Sequence, residues 1–352
     1  MSDFKVIDDN MHFLPTNLFE DEYVLHGFLY SAPICLGVQA YLDKTPDGSK
    51  QQIVLATDTG EEILNYVEGD YTLETKINAM DEAGVDICML RMPVWQEWLP
   101  LEICKVVNDQ SSAMVEASEG RLRATACVPP YGRKEDIAEL ERCMNELGMV
   151  GVQMACAYGN KFLDNALFDS YMAYLNEKKI PAVIHHTPGQ NCFGNVIDMT
   201  IMRREFGRVT AQATAVGREI YSGMFNKYPN LIFDHTMMGG NWFGLQELCA
   251  PHASKKKEAM DRLQGEITRE DYDKFLKNNI YFDACHPASW GISQLECAVK
   301  VCGADHILMG SSFPVFYWWL AKSVETINAL NIPEEEKALI KGGNAAKLFN
   351  IQ

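Results

Sequence analysis

Phe4-Lys5-Val6-Ile7-Asp8 is a short apolar run that stops at a polar cluster containing Asn10 and His12. A run of this length, closed by polar residues, suits a strand buried in a parallel sheet. From about Leu14 to Asp70 the pattern breaks, and residues 52–58 and 61–67 flank Thr59-Gly60 as a hairpin candidate. This segment reads as an insertion over one end of the molecule. Beyond it the unit recurs: a helical stretch, a short apolar run, then a Gly, Pro or polar break. The strands this predicts are 86–91, 122–128, 150–154, 181–185, 230–235, 279–283 and 306–310, which with the first make eight. The Leu101–Ala117 stretch carries Ile103, Val106, Val107, Gln110 and Met114 at helical spacing and is followed by Gly120. Eight strands each followed by a helix, with no G-x-G-x-x-G after the first, fit a (β/α)8 TIM barrel of the α/β class better than an open Rossmann sheet. No linker divides residues 1–352, so one barrel domain with an insertion at 14–70 is expected. The run Ser254-Lys255-Lys256-Lys257-Glu258 reads as a solvated helix face.

Charge narrows the partners. The chain of 352 residues has 31 Lys+Arg against 48 Asp+Glu, a formal net charge of −17, which argues against binding nucleic acid or an anionic membrane surface. Small-molecule or protein partners are left. No run approaches the roughly 18–20 apolar residues of a membrane span, and Met1-Ser2-Asp3-Phe4-Lys5 does not open a leader, so a cytoplasmic protein is expected. The 11 cysteines are scattered from Cys35 to Cys302 without a C-x-x-C pair. They read as buried thiols rather than as a disulfide framework or a zinc ribbon.

In a barrel of this kind the chemistry lies at the carboxyl ends of the strands. Those ends hold Asn10 and His12, Arg91, His185 and His186, His235, then Asp283, Cys285 and His286, and finally Ser311 and Ser312. Five of the eight histidines fall there, while His26, His252 and His306 read as core or surface residues. Neutral imidazoles converging on one mouth, as expected of His12, His185 and His235, suit a transition metal or a proton-transfer site. His186 is expected to face away from its neighbour, because successive strand residues alternate. Arg91 closes the apolar strand Ile87-Cys88-Met89-Leu90 and serves either a structural ion pair or recognition of a carboxylate. His286 and Cys285 are either a second acid/base and a nucleophile or ordinary loop residues. Phe313, Phe316, Tyr317, Trp318 and Trp319, with Trp95 and Trp98, either wall a pocket for a flat ring or pack between helices.

Taken in order, several motifs resemble the amidohydrolase-related decarboxylases typified by aminocarboxymuconate semialdehyde decarboxylase. They are Val6-Ile7-Asp8-Asp9-Asn10-Met11-His12, Gly151-Val152-Gln153, Phe162-Leu163-Asp164-Asn165, and Ile180-Pro181-Ala182-Val183-Ile184-His185. Gly223-Met224-Phe225 and Tyr228-Pro229-Asn230-Leu231 follow, leading to His235 and Gly239-Gly240, then Gly310-Ser311-Ser312-Phe313-Pro314 and the closing Lys341-Gly342-Gly343-Asn344-Ala345-Ala346-Lys347-Leu348-Phe349. The resemblance implies one divalent metal, zinc or manganese, with His12 and His185 as ligands and His235 as the general acid/base. Asn10 stands where the family has His or Glu, and Ser312 where it has Asp. An amide and a hydroxyl are weak, uncharged donors for such a metal. Two site designs stay open: a metal on His12, His185 and His235, or a metal-free site in which His235 moves protons. In the latter, Arg91 and Asn10, with His186 and Ser312, bind an anionic substrate. No lysine ends the fourth strand, where Met154 and Ala155 fall, which argues against two-metal hydrolases.

The expected reaction is non-oxidative decarboxylation of a hydroxylated or amino-substituted aromatic acid, or a related unsaturated acid, without an organic cofactor. His235 would protonate the ring carbon that bears the carboxylate, with His286 and Arg91 assisting. A C–C or ring-opening hydrolase or hydratase is the alternative, and a catalytically silent partner subunit the third reading. The resemblance also implies a homodimer.

Overall fold

Strand β1 spans Ile7–His12 and is buried throughout in the computed structural model, which describes residues 5–186, 199, 202, 205–252, 255, 257 and 266–352. It is longer than the apolar run that announces it, so Asn10 and His12 lie inside the strand rather than after it. The polar residues are accommodated because Asp8 accepts hydrogen bonds from the Asn10 and Ser311 amides, at 3.0 and 2.9 Å. Of the sequence expectations, Phe4 and residues 254, 256 and 258 of the lysine run lie outside the described residues.

The inserted segment folds as an antiparallel sheet of β2 (Val38–Lys44), β3 (Gln51–Thr57) and β4 (Glu62–Val67) in that order. The expected hairpin is β3–β4, and β2 is an additional strand paired with β3 from Val38 opposite Thr57 to Lys44 opposite Gln51. Parallel strands then follow: β5 (Ile87–Arg91), β6 (Leu122–Ala124), β7 (Ala126–Cys127) and β8 (Val152–Ala155). A two-residue pair, β9 (Ala157–Tyr158) and β10 (Lys161–Phe162), precedes β11 (Ala182–His185), β12 (Phe233–His235), β13 (Ile280–Asp283) and β14 (Ile307–Leu308).

Thr125 interrupts a single run into β6 and β7, so the parallel pairs β1–β5–β6 and β7–β8–β11–β12–β13–β14 amount to eight staves. The ring closes through backbone bonds: Asp9 N–H to Met309 O at 2.8 Å, Ser312 N–H to Asn10 O at 2.6 Å and His12 N–H to Phe313 O at 2.7 Å. The fold is therefore the expected (β/α)8 barrel.

Alternation along the staves sorts the interior. Ile7, Ile87, Met89, Val183 and Leu308 fill one end, plugged by Ala345, Phe349 and Ile351 of the closing segment. Above that apolar layer the inward positions turn polar, with Asp9, Arg91, Asp234 and Asp283, and above them lies the mouth. The larger apolar cluster occupies the space between staves and helices and extends to the inserted sheet through Ile53 and Leu55. None of the described helices is long and apolar enough to cross a membrane.

Candidate active site

The three-residue strand β12 decides the fate of two expected site residues. Asp234 points into the barrel, where it meets Arg91 at 3.1 Å, so its neighbours Phe233 and His235 face the helix layer. His235 is fully buried between strand and the Phe206–Tyr221 helix. Its Nδ1 meets Gln212 Oε1 at 2.9 Å and its Nε2 meets Glu219 Oε2 at 2.8 Å. Gln212 donates its amide hydrogens to Ile184 O and Thr236 Oγ1, so its Oε1 is the acceptor and His235 Nδ1 the donor. The expectation of His235 as the acid/base in the mouth is thus corrected: both ring nitrogens are committed to the helix layer.

Arg91 is likewise displaced from the expected role. It is sealed inside the barrel, paired with Asp9 and Asp234 and 3.9 Å from Asp283. Of the two readings of Arg91, the geometry gives the structural ion cluster rather than the carboxylate receptor. Burial pushes the carboxyls of Asp9 and Asp283 well above the usual range; neighbouring carboxylates add to this and Arg91 opposes it. Asn10 also belongs to this layer, since its amide donates to Asp283 at 2.9 Å, and it is wholly buried below the cavity rather than lining it.

The residues that do meet are His12, His186, His286, Arg208, Ser312 and Trp319, around a cavity of about 250 Å³ at the strand ends. Residues 63–67 of β4 and Tyr71 close its outer side. His185 lies just behind, its ring centroid 6.0 Å from that of His12 and 4.0 Å from that of His186. His186 therefore does not turn away from His185: β11 ends at His185, and strand alternation no longer holds at the next residue. His185 Nδ1 donates to His186 O at 2.9 Å, which leaves a lone pair on Nε2. That nitrogen, both nitrogens of His12 and Nδ1 of His186 are buried without a hydrogen-bond partner among the described residues.

Burial is the first cause holding these three imidazoles neutral, and repulsion from neighbouring imidazoles adds to it at His12 and His186. His185 is pushed down to about 3, and His12 and His186 well below the usual histidine range, with Arg208 acting in the same direction on all three.

On the opposite side of the mouth, His286 Nε2 lies 3.0 Å from Ser312 Oγ. The imidazole stacks on Trp319 with centroids 3.7 Å apart and planes within 16°. His286 and Ser312 both adopt left-handed backbone conformations, φ 60° and 58°, each costing about 1–3 kcal/mol that the surrounding packing must offset. Cys285 is no nucleophile: burial pushes its thiol well up, and its Sγ accepts the Met237 amide at 3.1 Å. Of the aromatic cluster, Phe316 and Trp319 reach the cavity. Tyr317 and Trp318 are exposed, and Trp95 packs beneath the inserted sheet, donating to Phe28 O. Arg208, which a search of strand ends misses, comes from the Phe206–Tyr221 helix, and no spacing signal in the sequence marks it.

These residues do not fit a resident divalent metal. The Asn10 amide is turned to Asp283 and the Ser312 hydroxyl to His286, leaving His12 and His185 of the implied ligand set. No carboxylate joins them, and Arg208 and Lys76 add positive charge beside His12. Among the described residues no three His, Cys, Asp or Glu side chains are arranged to hold an ion.

Known proteins share this frame. The chain is 27% identical over 245 residues to 2-keto-4-carboxy-3-hexenedioate hydratase of Sphingobium sp. (strain NBRC 103272 / SYK-6), a match covering 64% of this chain and 65% of the hydratase. It is 22% identical over 288 residues to 2-amino-3-carboxymuconate-6-semialdehyde decarboxylase of Dictyostelium discoideum, covering 79% and 76%. The crystal structure of 5-carboxyvanillate decarboxylase from Novosphingobium aromaticivorans, solved with manganese, superposes with a TM-score of 0.72 at 19% identity over 99% of this chain and 96% of that one. Residues 96–351 match the family model described as Amidohydrolase, and the chain belongs to that family.

Proposed function

We propose that the protein is a carboxy-lyase that decarboxylates an anionic aromatic or related unsaturated acid in the mouth described above. On this reading the 352 residues act as one barrel domain and the 14–70 insertion shields the reacting centre from water. The observation that carries it is the His286–Ser312 pair, 3.0 Å apart at a mouth that also holds Arg208 and Trp319. Arg208 draws the anion in, and Trp319 and Tyr66 offer faces to a flat substrate. Protonated His286 passes a proton through the Ser312 hydroxyl to the carbon bearing the carboxylate. A C–H bond forms, the bond to the carboxylate breaks, and its electron pair restores the conjugation as CO2 leaves. His286 then regains a proton from water. The decarboxylase among the relatives supports this assignment.

The hydratase relative favours a second reading, in which the same donor protonates an unsaturated acid and one of the neutral imidazoles activates water. The test is a panel of hydroxy- and amino-substituted benzoates and of unsaturated carboxylic acids, assayed for CO2 and for hydrated product. CO2 release that falls by about 10²-fold or more in His286→Ala is the expected result. Hydrated product without CO2 would replace the lyase by the hydratase, and neither product from any member would leave the silent-subunit reading.

A further inference from the structure

Within the aromatic run Phe313, Phe316, Tyr317, Trp318 and Trp319, the last is set apart by its partner. Its neighbours on the Tyr317–Asn328 helix, Tyr317 and Trp318, are 45% and 48% exposed, whereas Trp319 is buried at 5% and lines the mouth. There its ring lies flat on His286, centroids 3.7 Å apart and planes within 16°. Aromatic pairs ordinarily settle offset or edge-on with centroids roughly 4.5–7 Å apart, so a near-sandwich at the shorter distance is imposed by what surrounds it. We propose that Trp319 is the positioning residue of the proton donor, its indole face holding the His286 imidazole so that Nε2 stays on Ser312 Oγ. This deepens the carboxy-lyase reading and rests on the donor role which that reading gives His286.

Both partners of the stack are anchored. Trp319 meets Phe316 nearly at right angles, with centroids 4.7 Å apart and planes at 83°, and its amide donates to Phe316 O at 3.1 Å. The His286 backbone, left-handed at φ 60°, donates its amide to Gly310 O at 3.0 Å and accepts the Ser289 amide at 2.8 Å. These bonds fix the root of the imidazole but not its two side-chain torsions. Turning about either torsion would carry Nε2 away from Ser312 Oγ, now 3.0 Å distant, and out of the window of about 2.6–3.2 Å in which a general acid works. The flat indole is the surface that blocks this turning. A misplacement of about 1 Å can cost on the order of 10²-fold in rate. The indole face given to His286 is closed to substrate, so loss of Trp319 should be felt in kcat before KM.

Two readouts test the assignment, one of them without substrate. In ligand-free protein labelled with 15N-histidine and held at one pH, the Nε2 signal of His286, identified by its absence in His286→Ala, reports the bond to Ser312. Ser312→Ala marks where that signal lies without the bond. Trp319→Leu should move the signal most of the way to the Ser312→Ala position, and Trp319→Phe, which keeps a flat face, should leave it near wild type. In turnover of whichever acid releases CO2, Trp319→Leu should lower kcat about 10²-fold with KM changed less than about tenfold, and Trp319→Phe should restore most of kcat. Trp319→Met, equally without a flat face, takes the place of Trp319→Leu if urea unfolding shows the latter unfolded. A wild-type Nε2 signal in the folded Leu or Met variant would overturn the proposal. So would a raised KM at unchanged kcat, which is what a mere wall of the cavity gives. The expected 15N shift without CO2 release from any acid would count against the carboxy-lyase reading alone. CO2 release whose kcat the Leu and Met variants leave untouched would count against the Trp319 assignment alone.

Discussion

His235 illustrates how one residue's parity outweighs its chemistry. Facing Gln212 Oε1 and Glu219 at hydrogen-bond distance on its two nitrogens, it ties β12 to the Phe206–Tyr221 helix with no exposed atom through which to reach a substrate. His235→Ala would leave the Glu219 carboxyl buried and without its imidazole. Glu219 already sits above the usual range, chiefly from burial and against the opposing pull of His235. Removing one partner of a buried pair costs about 3–5 kcal/mol, to be read from the urea midpoint, while kcat per folded molecule stays unchanged. A loss of kcat at unaltered stability would return His235 to the mouth. His286→Ala should behave in the opposite way. The sequence alone placed both histidines at strand ends, and did so correctly. What it lacked was the phase of β12: a three-residue strand offers too few apolar positions to show which of Asp234 and His235 turns inward, and Asp234 pairs with an arginine 143 positions away.

At the scale of elements, the chain leaves β12 through five residues that no spacing rule announces. Met237, Met238, Gly239, Gly240 and Asn241 all have φ between 51° and 70°, one turn of left-handed helix. Each non-glycine in that conformation costs on the order of 1–2 kcal/mol. The turn persists because it lets the backbone lie directly on the helix that holds Arg208. A Cβ on Gly240 would collide with the Val209 carbonyl oxygen and the Ala213 amide, main-chain atoms that do not yield. Gly240→Ala should therefore lose more than about 3 kcal/mol, combining strain and overpacking. Gly60→Ala, at φ +89° in the inserted hairpin with nothing within 4 Å of the added methyl, should cost only about 1 kcal/mol. Melting temperatures of the two variants check this, and equal losses would show that backbone strain alone governs both. The barrel strands were legible because each is a short apolar run ended by a breaker. β2 was not, since past Val38 it is only half buried and ends on the exposed Leu42, Asp43 and Lys44. Arg208 and Lys76 come from the first turns of helices, where nothing in the order of strand ends could mark them.

Over the whole molecule, an acidic chain of net charge −17 surrounds a mouth whose nearest fixed charges are positive, and the folded state bears the cost of burying one of them. Lys76 is fully buried on the Leu73–Ala83 helix and donates to His12 O at 2.6 Å. Burial lowers its ammonium from 10.5 to about 7, against the opposing pull of Cys88 and Asp8. In the unfolded chain the lysine keeps its ordinary value. Between pH 7 and 10.5 the unfolded state therefore binds more protons than the folded one, and this group makes stability rise with pH across that window. Below about 7 both states are protonated and the full burial cost is present. Lys76→Met removes the titration but also the hydrogen bond to His12 O, so the informative quantity is a double difference, the stability of the variant relative to wild type at pH 6 and again at pH 9. From the lower to the higher pH the variant should lose roughly 2–3 kcal/mol relative to wild type, the integral of the shift over that interval. Urea unfolding at both pH values measures it, with all other titrating groups common to the two proteins. A difference that does not move with pH would mean that the folded state keeps Lys76 protonated to high pH, and that the mouth then holds a permanent second cation behind His12 rather than a neutral amine.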